Sequence, residues 1–421
     1  MLKQAIGSTL AIRLVTVMSA LALWTACQED APKEHTPPVP EAWADDPQGE
    51  WLPGDLHVHS TDASNDTGGD STPEAIAQKA QELGLFFVVM TDHSNSTGSD
   101  TTTTDEDPEL FNQGPEFVHW DKAKELSIAH EFILVSGNEI SPVDVDEKAP
   151  RGHIGCVPRT LSDDFDTDSP FIDRPRGVVS SADAIEQALD RGCFTILNHP
   201  YAITPWIASD WTSFDYEAME VWNGGASSLD TYDMYGWDAF RCDLLAGRKV
   251  TPVAASDNHR VHHQGDLLNP PLGRPKTSVF AKARTWDAII EGLDAGLVAM
   301  GEGDSIVKID MYNAEGQRTE GEDARYIRVR GALDAQSRKK ATLRVTRATS
   351  CVDLRPSTTE YPKVSEDRLL SETIEPGHTF EFVIPIEAEA GVYTATLRTG
   401  KPTPIGGAFW SAMSRAITIE P

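Results

Sequence analysis

Between residues 51 and 303, short apolar runs alternate with segments of helical periodicity, and run after run stops at His, Asp or Glu. The runs are "LFFVVM", "FILVS", "GHIGCV", "CFTIL", "AMEVW", "VTPVAAS" and "TSVFA". Most are apolar continuously rather than alternately, as a parallel strand covered on both faces requires. The helical segments carry their own punctuation. Thr72 can cap a helix that Pro73 opens and Gly84 closes, and "SADAIEQALDRG" and "TWDAIIEGLDAG" also end on Gly. This alternation predicts a β/α barrel-like domain, with a doubly wound open sheet as the second choice.

In a β/α barrel, side chains placed where strands end share one face, so residues far apart in sequence point into a common pocket. His57 and His59 are two apart, the period at which strand side chains share a face. His93 follows "FFVVMTD", Glu139 follows "ILVSGN", His153 precedes "IGCV", and His199 follows "FTILN". "PVAAS" runs into Asp257 and His259. A single His beside a strand is more often a hydrogen-bonded or surface residue than a ligand. The constellation changes that reading: six imidazoles with carboxylates are too many for one tetrahedral ion and suit two or three divalent ions, Zn, Mn or Fe. Glu139 is the natural bridging carboxylate of a two-metal hydrolytic site. His35, His119, His130, His262, His263 and His378 lack this placement. His119 and His130 fall in a helical-looking stretch and are expected in solvent, whereas His262 and His263 follow the last motif closely enough to approach the pocket.

The rest of the chain is of different texture. Residues 304–421 alternate apolar and polar positions between turn-like stretches, which predicts a small antiparallel β-sandwich domain. Residues 1–26 read as an export signal, with Lys3 and Arg13 before a short apolar core. "LWTAC" resembles a bacterial lipoprotein cleavage site with Cys27 as the acylated residue, although Trp24 departs from the pattern; ordinary cleavage is the alternative. Residues 27–50, rich in Pro, Glu and Asp, read as a disordered tether. Gln28 after the Cys favours the periplasmic face of an outer membrane over inner-membrane retention, and a soluble periplasmic or secreted form remains the alternative. An oxidising compartment would permit Cys156, Cys193, Cys242 and Cys351 to pair, but their spacing does not demand it, and Cys156 and Cys193 read as buried small hydrophobes. The formal charge of −30 argues against nucleic acid as the main partner, because a polyanion would meet long-range repulsion.

"DLHVHS", "TDH", "GNEIS", "GHIG", "NHP" and "SDNH", in this order, closely resemble the motifs of PHP (polymerase and histidinol phosphatase) domains over residues 51–303. The resemblance implies a distorted seven-stranded β/α barrel, TIM-barrel-like, with a two- or three-metal cluster. It implies that His57, His59, Glu139 and Asp257 hold one metal, Glu139, His153 and His199 a second, and His93 with His259 a third. Family members usually offer a further ligand in an "SDG"-like turn; here the stretch is "STDASNDTGGD", which makes Asp66 the choice and Asp62 the alternative. Asp55 and Asp92 sit beside ligands as partners that would orient imidazoles. "MEVWNGG" and "GRPKTSVFA" further resemble the CehA/McbA-like metallohydrolases, some of which hydrolyse carbamates or esters, although Glu220, Trp222 and Asn223 could equally be a strand end packing the barrel mouth.

The implied chemistry is hydrolysis by a metal-bridging hydroxide, since "GxSxG" and a papain-like Cys context are both absent. The bond cleaved would be a phosphoester, or alternatively a carbamate or carboxylic ester, in a small-molecule substrate. Arg274 is a candidate for charge stabilisation, and Asp92 and His262 for the leaving-group acid. A metal-containing binding protein without turnover is the alternative outside enzymes. Any membrane contact would run through the N-terminal lipid alone.

Overall fold

The computed structural model describes residues 39–420 except 41, 45–46, 62, 65–66, 68, 94–115, 141–152, 170, 172–180, 202–214, 225–229, 264–269, 356–359 and 401–409. The export signal, Cys27, Asp62 and Asp66 therefore lie outside the described residues.

The first part of the chain runs β1 (Glu50–Val58), α1 (Pro73–Glu82), β2 (Phe87–His93), α2 (Trp120–Leu126), β3 (Ile133–Ile140), β4 (His153–Pro158), α3 (Ser181–Arg191) and β5 (Cys193–Asn198). It continues with β6 (Ala218–Asn223), α4 (Asp230–Leu245), β7 (Thr251–Ala255), β8 (Lys276–Ala281), α5 (Trp286–Asp294) and β9 (Val298–Gly301). Local chemistry explains the helix starts. Thr72 Oγ1 accepts from the Ala75 amide at 3.3 Å with Pro73 following, and Thr285 Oγ1 accepts from Ala288 at 3.4 Å.

β1, β2 and β3 pair in parallel, as do β5, β6 and β7, while β4 runs antiparallel to both β3 and β5. The sheet curls until its far strand meets β1. The Asp257 amide donates to the His57 carbonyl at 2.9 Å, and the His59 amide donates to the Asn258 carbonyl at 2.9 Å. β2 to β7 are buried along their whole length, so the alternation of a one-sided strand is absent from them, as their sequences require. Leu52, Phe87, Val89, Val135, Ile196, Val253 and Val279 share one apolar cluster with Trp286, Ile289 and Leu293 of α5.

The C-terminal strands are β10 (Ile306–Tyr312), β11 (Tyr326–Ala332), β12 (Ala341–Val352), β13 (Lys363–Ile374), β14 (Thr379–Pro385), β15 (Gly391–Arg398), β16 (Trp410–Ser414) and β17 (Ile417–Ile419). β10, β11 and β14 form an antiparallel sheet of their own. The other C-terminal strands do not stand apart. β16 pairs antiparallel with β9, which pairs with β8, which pairs with β1, so they extend the sheet that carries the first part. Val307, Ile309, Ile327 and Val329 pack against Leu343, Val345, Tyr393 and Leu397 between the two sheets.

Two disulfides correct the reading of the cysteines. Cys156 and Cys193 are diagonal neighbours across the antiparallel β4–β5 pair, with Cα atoms 5.1 Å apart, and they are bonded. Cys242 of α4 and Cys351 of β12 are bonded as well, 5.4 Å apart between Cα atoms and 109 residues apart in sequence. Strand pairing, invisible in the spacing, is what brings the first pair within bridging distance.

Candidate metal centre

The strand order explains the convergence. His57 ends near the tip of β1, His93 ends β2, Glu139 lies at the end of β3, and His153 begins the antiparallel β4, so it faces the same rim. His199 follows β5 directly, and Asp257 and His259 follow β7.

Glu139 is at the middle, 1% exposed. Its Oε1 lies 2.8 Å from His153 Nδ1, 3.2 Å from His199 Nε2 and 3.2 Å from His57 Nε2. Its Oε2 lies 3.1 Å from His93 Nδ1 and 3.7 Å from His59 Nε2, and although buried it makes no hydrogen bond. Asp257 Oδ1 is 3.3 Å from His57 Nε2 and 3.2 Å from His59 Nε2. The two Nε2 atoms of His57 and His59 are themselves 3.1 Å apart. The ring of His259 stacks on that of His59 with centroids 4.0 Å apart. The nine expected ligands thus include eight that the fold brings to one rim; Asp66, and its alternative Asp62, lie outside the described residues.

Donor atoms lie within 4.8 Å of one another in four groups: His59, His93 and His259; His57, His199 and Asp257; His57, His59 and Glu139; and His93, Glu139 and His153. The residues fit divalent ions on chemical grounds. Imidazole and carboxylate suit Zn, Mn and Fe, and a buried carboxylate oxygen without a hydrogen bond, faced by ring nitrogens, is a position a cation would satisfy. These buried His, Glu and Asp side chains are suited to holding divalent metal.

The electrostatics follow from the crowding. Burial alone would raise Glu139 and Asp257, but His153 and His57 beside the first, and His57 beside the second, hold both carboxyls well below the ordinary range. Burial, with His259 and His93 alongside, pushes His59 down to about 3, and burial pushes His153 down to about 4. Both are neutral imidazoles with lone pairs to give. Burial also opposes charge on His57 and His199, yet the surrounding carboxylates outweigh it and raise both.

Strain marks the same place. His199 has φ 23° and Asp257 φ 56°, left-handed backbone that residues with a Cβ rarely adopt. Such conformations persist where the surroundings fix them; these two fall on donor residues, while a third among the described residues, His130 at φ 62°, lies apart on an exposed turn.

The residues proposed for other roles are distributed differently. Asp55 does not orient an imidazole. Its carboxylate accepts from Ser256 N at 3.0 Å, Ser256 Oγ at 2.5 Å and Gly273 N at 2.8 Å, tying β1 to the loop after β7, and burial pushes it up to about 6. Asp92 accepts from Ser60 N and Ser60 Oγ, both at 2.6 Å, and from Ser64 Oγ at 3.1 Å. Burial raises its pKa, but with its oxygens engaged as acceptors it is placed to hold the loop rather than to protonate a leaving group. His262 is exposed. Arg274 is exposed, on a loop whose carbonyl packs against Gly224. His119, expected in solvent, is half-buried with Nε2 3.1 Å from the Thr61 carbonyl.

Glu220 is the residue sequence reasoning undervalued. It is 2% exposed; Oε1 is 3.3 Å from His57 Nδ1, and Oε2 accepts from the His199 amide at 2.7 Å and Asn223 Nδ2 at 3.0 Å. The signal was a carboxylate inside the otherwise apolar run "AMEVW", where a buried charge demands partners.

The chain matches no family model and no curated protein. Among solved structures it is similar to a two-domain protein from Bacteroides vulgatus containing a predicted PHP-like metal-dependent phosphoesterase, at 16% identity and TM-score 0.41, covering 88% of this chain and 98% of that one. It is also similar to the lesion-specific endonuclease PfuEndoQ from Pyrococcus furiosus, at 19% identity and TM-score 0.35, covering 58% of this chain and 56% of that one. A third is PsfC from Pseudomonas syringae, at 14% identity and TM-score 0.32, covering 55% of this chain and 82% of that one. At such scores these likenesses establish neither fold nor activity for this chain.

Proposed function

We propose that this chain is a metal-dependent hydrolase of the PHP type that cleaves a phosphoester in a small-molecule substrate. One observation carries the reading: a single buried carboxylate, Glu139, is ringed by the imidazoles of His57, His59, His93, His153 and His199. The six ordered motifs quoted above support the family. Divalent ions held there supply Lewis-acid charge and acidify water near neutral pH. Glu139 serves two positions at once, and Asp257 places a second carboxylate against the His57 and His59 nitrogens. Arg274, exposed on the loop beside Gly224, is available to a substrate's anionic group.

Location belongs to the same reading. The export signal, Cys27 and the acidic tether make the protein a lipoprotein facing the periplasm, and two disulfides suit an oxidising compartment. The formal charge of −30 turns the substrate choice away from nucleic acid.

The test is a panel of chromogenic phosphate monoesters, phosphate diesters, aryl carbamates and carboxylic esters, run on protein reconstituted with Zn or Mn. Turnover of a phosphoester that vanishes with a chelator supports the reading. Turnover of carbamates or carboxylic esters alone moves the protein to the CehA/McbA-like chemistry. A metal-loaded protein that turns over none of them would favour the metal-containing binding protein over the hydrolase.

A further inference from the structure

Two buried carboxylates outside the donor set each attach to a different part of it. Glu220 touches every member of the group His57, His199 and Asp257, directly or through one residue. It faces His57 Nδ1 at 3.3 Å, accepts the His199 amide at 2.7 Å, and binds Asn223 Nδ2, which lies 3.3 Å from Asp257 Oδ2. With Glu220 accepting from Nδ1, His57 would turn Nε2 toward an ion held with Glu139 and Asp257. The bond to the His199 amide fixes a left-handed backbone that an unconstrained His would leave.

Asp92 serves the other side through a serine. Ser64 Oγ donates to Asp92 Oδ1 at 3.1 Å, which leaves its two lone pairs for the His93 amide at 3.1 Å and for His59 Nδ1 at 3.1 Å. The serine is therefore saturated. His59 is held with Nδ1 protonated and Nε2 free to bind, and His259 is carried with it by ring stacking. His59, His93 and His259 form one donor group, and His59 shares another with His57 and Glu139.

We propose that two positioning units hold the donors of the centre, Glu220 with Asn223 fixing His57, His199 and Asp257, and Asp92 with Ser64 fixing His93 and His59, on which His259 stacks. Glu139 lies between them and belongs to neither. The inference rests on the metal-dependent reading of the site but goes beyond it, because it gives each side of the donor set its own support. Glu220 and Ser64 make no direct contact; the two units meet at His57 and His59, whose Nε2 atoms are 3.1 Å apart and both face Asp257 Oδ1.

The experiment compares the full chain with Ser64→Ala, Ser64→Thr, Glu220→Gln and Asn223→Ala variants. Each is loaded with Zn(II), dialysed at graded free zinc and analysed for bound metal. Co(II)-substituted samples are followed by visible absorption, and thermal melting checks folding. Losing an orienting partner typically weakens metal binding ~10–100-fold. The expected result is that Ser64→Ala and Glu220→Gln each weaken metal binding by that amount and alter the Co(II) bands while melting stays cooperative. Ser64→Thr keeps the hydroxyl and should restore binding. Asn223→Ala should reproduce part of the Glu220→Gln effect, and stands in for that variant if it does not fold. Unchanged affinity in folded Ser64→Ala and Glu220→Gln or Asn223→Ala proteins would overturn the positioning roles while leaving a metal hydrolase intact. Wild-type protein that binds no metal would overturn the functional reading itself.

Discussion

Glu139 Oε1 stands 2.8 Å from His153 Nδ1, and the other oxygen of the same carboxylate stands 3.1 Å from His93 Nδ1. One side chain thus presents an oxygen to each of two flanks of the centre. Glu139→Gln keeps the size but loses the charge and one acceptor. It should lower metal content more than any single His→Ala change, and activity by more than the ~10–100-fold typical of losing an orienting partner. Elemental analysis after reconstitution checks it; full metal content with wild-type turnover would remove Glu139 from the site.

Much of this was legible before any geometry. His93, Glu139, His199, Asp257 and His259 are each announced by an apolar run that stops at or just before them, His153 by the run it precedes, and His57 and His59 by their spacing of two, local patterns that survive without knowledge of pairing. What was not legible depends on register and loop packing. Cys156 meets Cys193 only because β4 runs antiparallel to β5, and an antiparallel strand within an otherwise parallel series is not written in its composition. Glu220 looked like part of an apolar strand because its partners, His57 Nδ1 and the His199 amide, come from other strands. Asp55 differs from its expected role for the same reason: it accepts from the His57 amide at 3.4 Å rather than from the ring, and its shorter hydrogen bonds go to Ser256 and Gly273. Among the C-terminal strands β10 begins by alternating half-buried and buried positions, whereas β15 and β16 are buried almost throughout inside the larger sheet, and the pairing of these strands to β9 through β16 has no local signature.

The bond between Cys242 and Cys351 closes a long loop, with 109 residues of separation, and joins α4 to β12. Cross-linking that much chain restrains the unfolded state by about 3–5 kcal/mol in the chain-entropy picture. The Cys242→Ser, Cys351→Ser double variant should lose stability on that order while retaining its metal, because neither residue belongs to a donor group. Urea unfolding with matched metal analysis measures both. A variant as stable as wild type would mean that the bond adds no restraint that packing does not already give.

Acid should weaken the same region. Asp353 is exposed, and the desolvation that would raise its pKa is outweighed by hydrogen bonds from Arg355 that hold it below the ordinary value; Glu366 is likewise raised by desolvation and lowered further by Arg241. In the unfolded chain these carboxyls titrate near ~4. Because their folded values are lower, the unfolded state binds more protons as the pH falls, so the stabilisation is present above pH ~4 and is lost as pH drops through the folded values. Melting temperature should therefore fall on acidification below pH ~4, and less steeply in the Asp353→Asn, Glu366→Gln double variant. Parallel declines in the two proteins would assign the acid sensitivity elsewhere.

Gly224 follows Asn223 directly and threads between two backbones. A Cβ built there would lie 2.6 Å from the Arg274 carbonyl oxygen and 2.7 Å from that of Ser256. Both obstacles are main-chain atoms, so neither can swing aside as a flexible side chain would. Ser256 is anchored by two hydrogen bonds to Asp55 and immediately precedes Asp257, so the strain of an added methyl is transmitted to a donor residue rather than absorbed at the surface. Gly224→Ala should cost about 1–3 kcal/mol, the usual range for overpacking, and should lower metal affinity at the position that uses Asp257. Gly400→Ala, where an added Cβ meets nothing within 4 Å, is the control and should be neutral in both respects. Equal stability and equal metal content in the two variants would show that the loops at Arg274 and Ser256 can separate without disturbing the centre, and that the close approach at Gly224 is not what holds Asp257 in place.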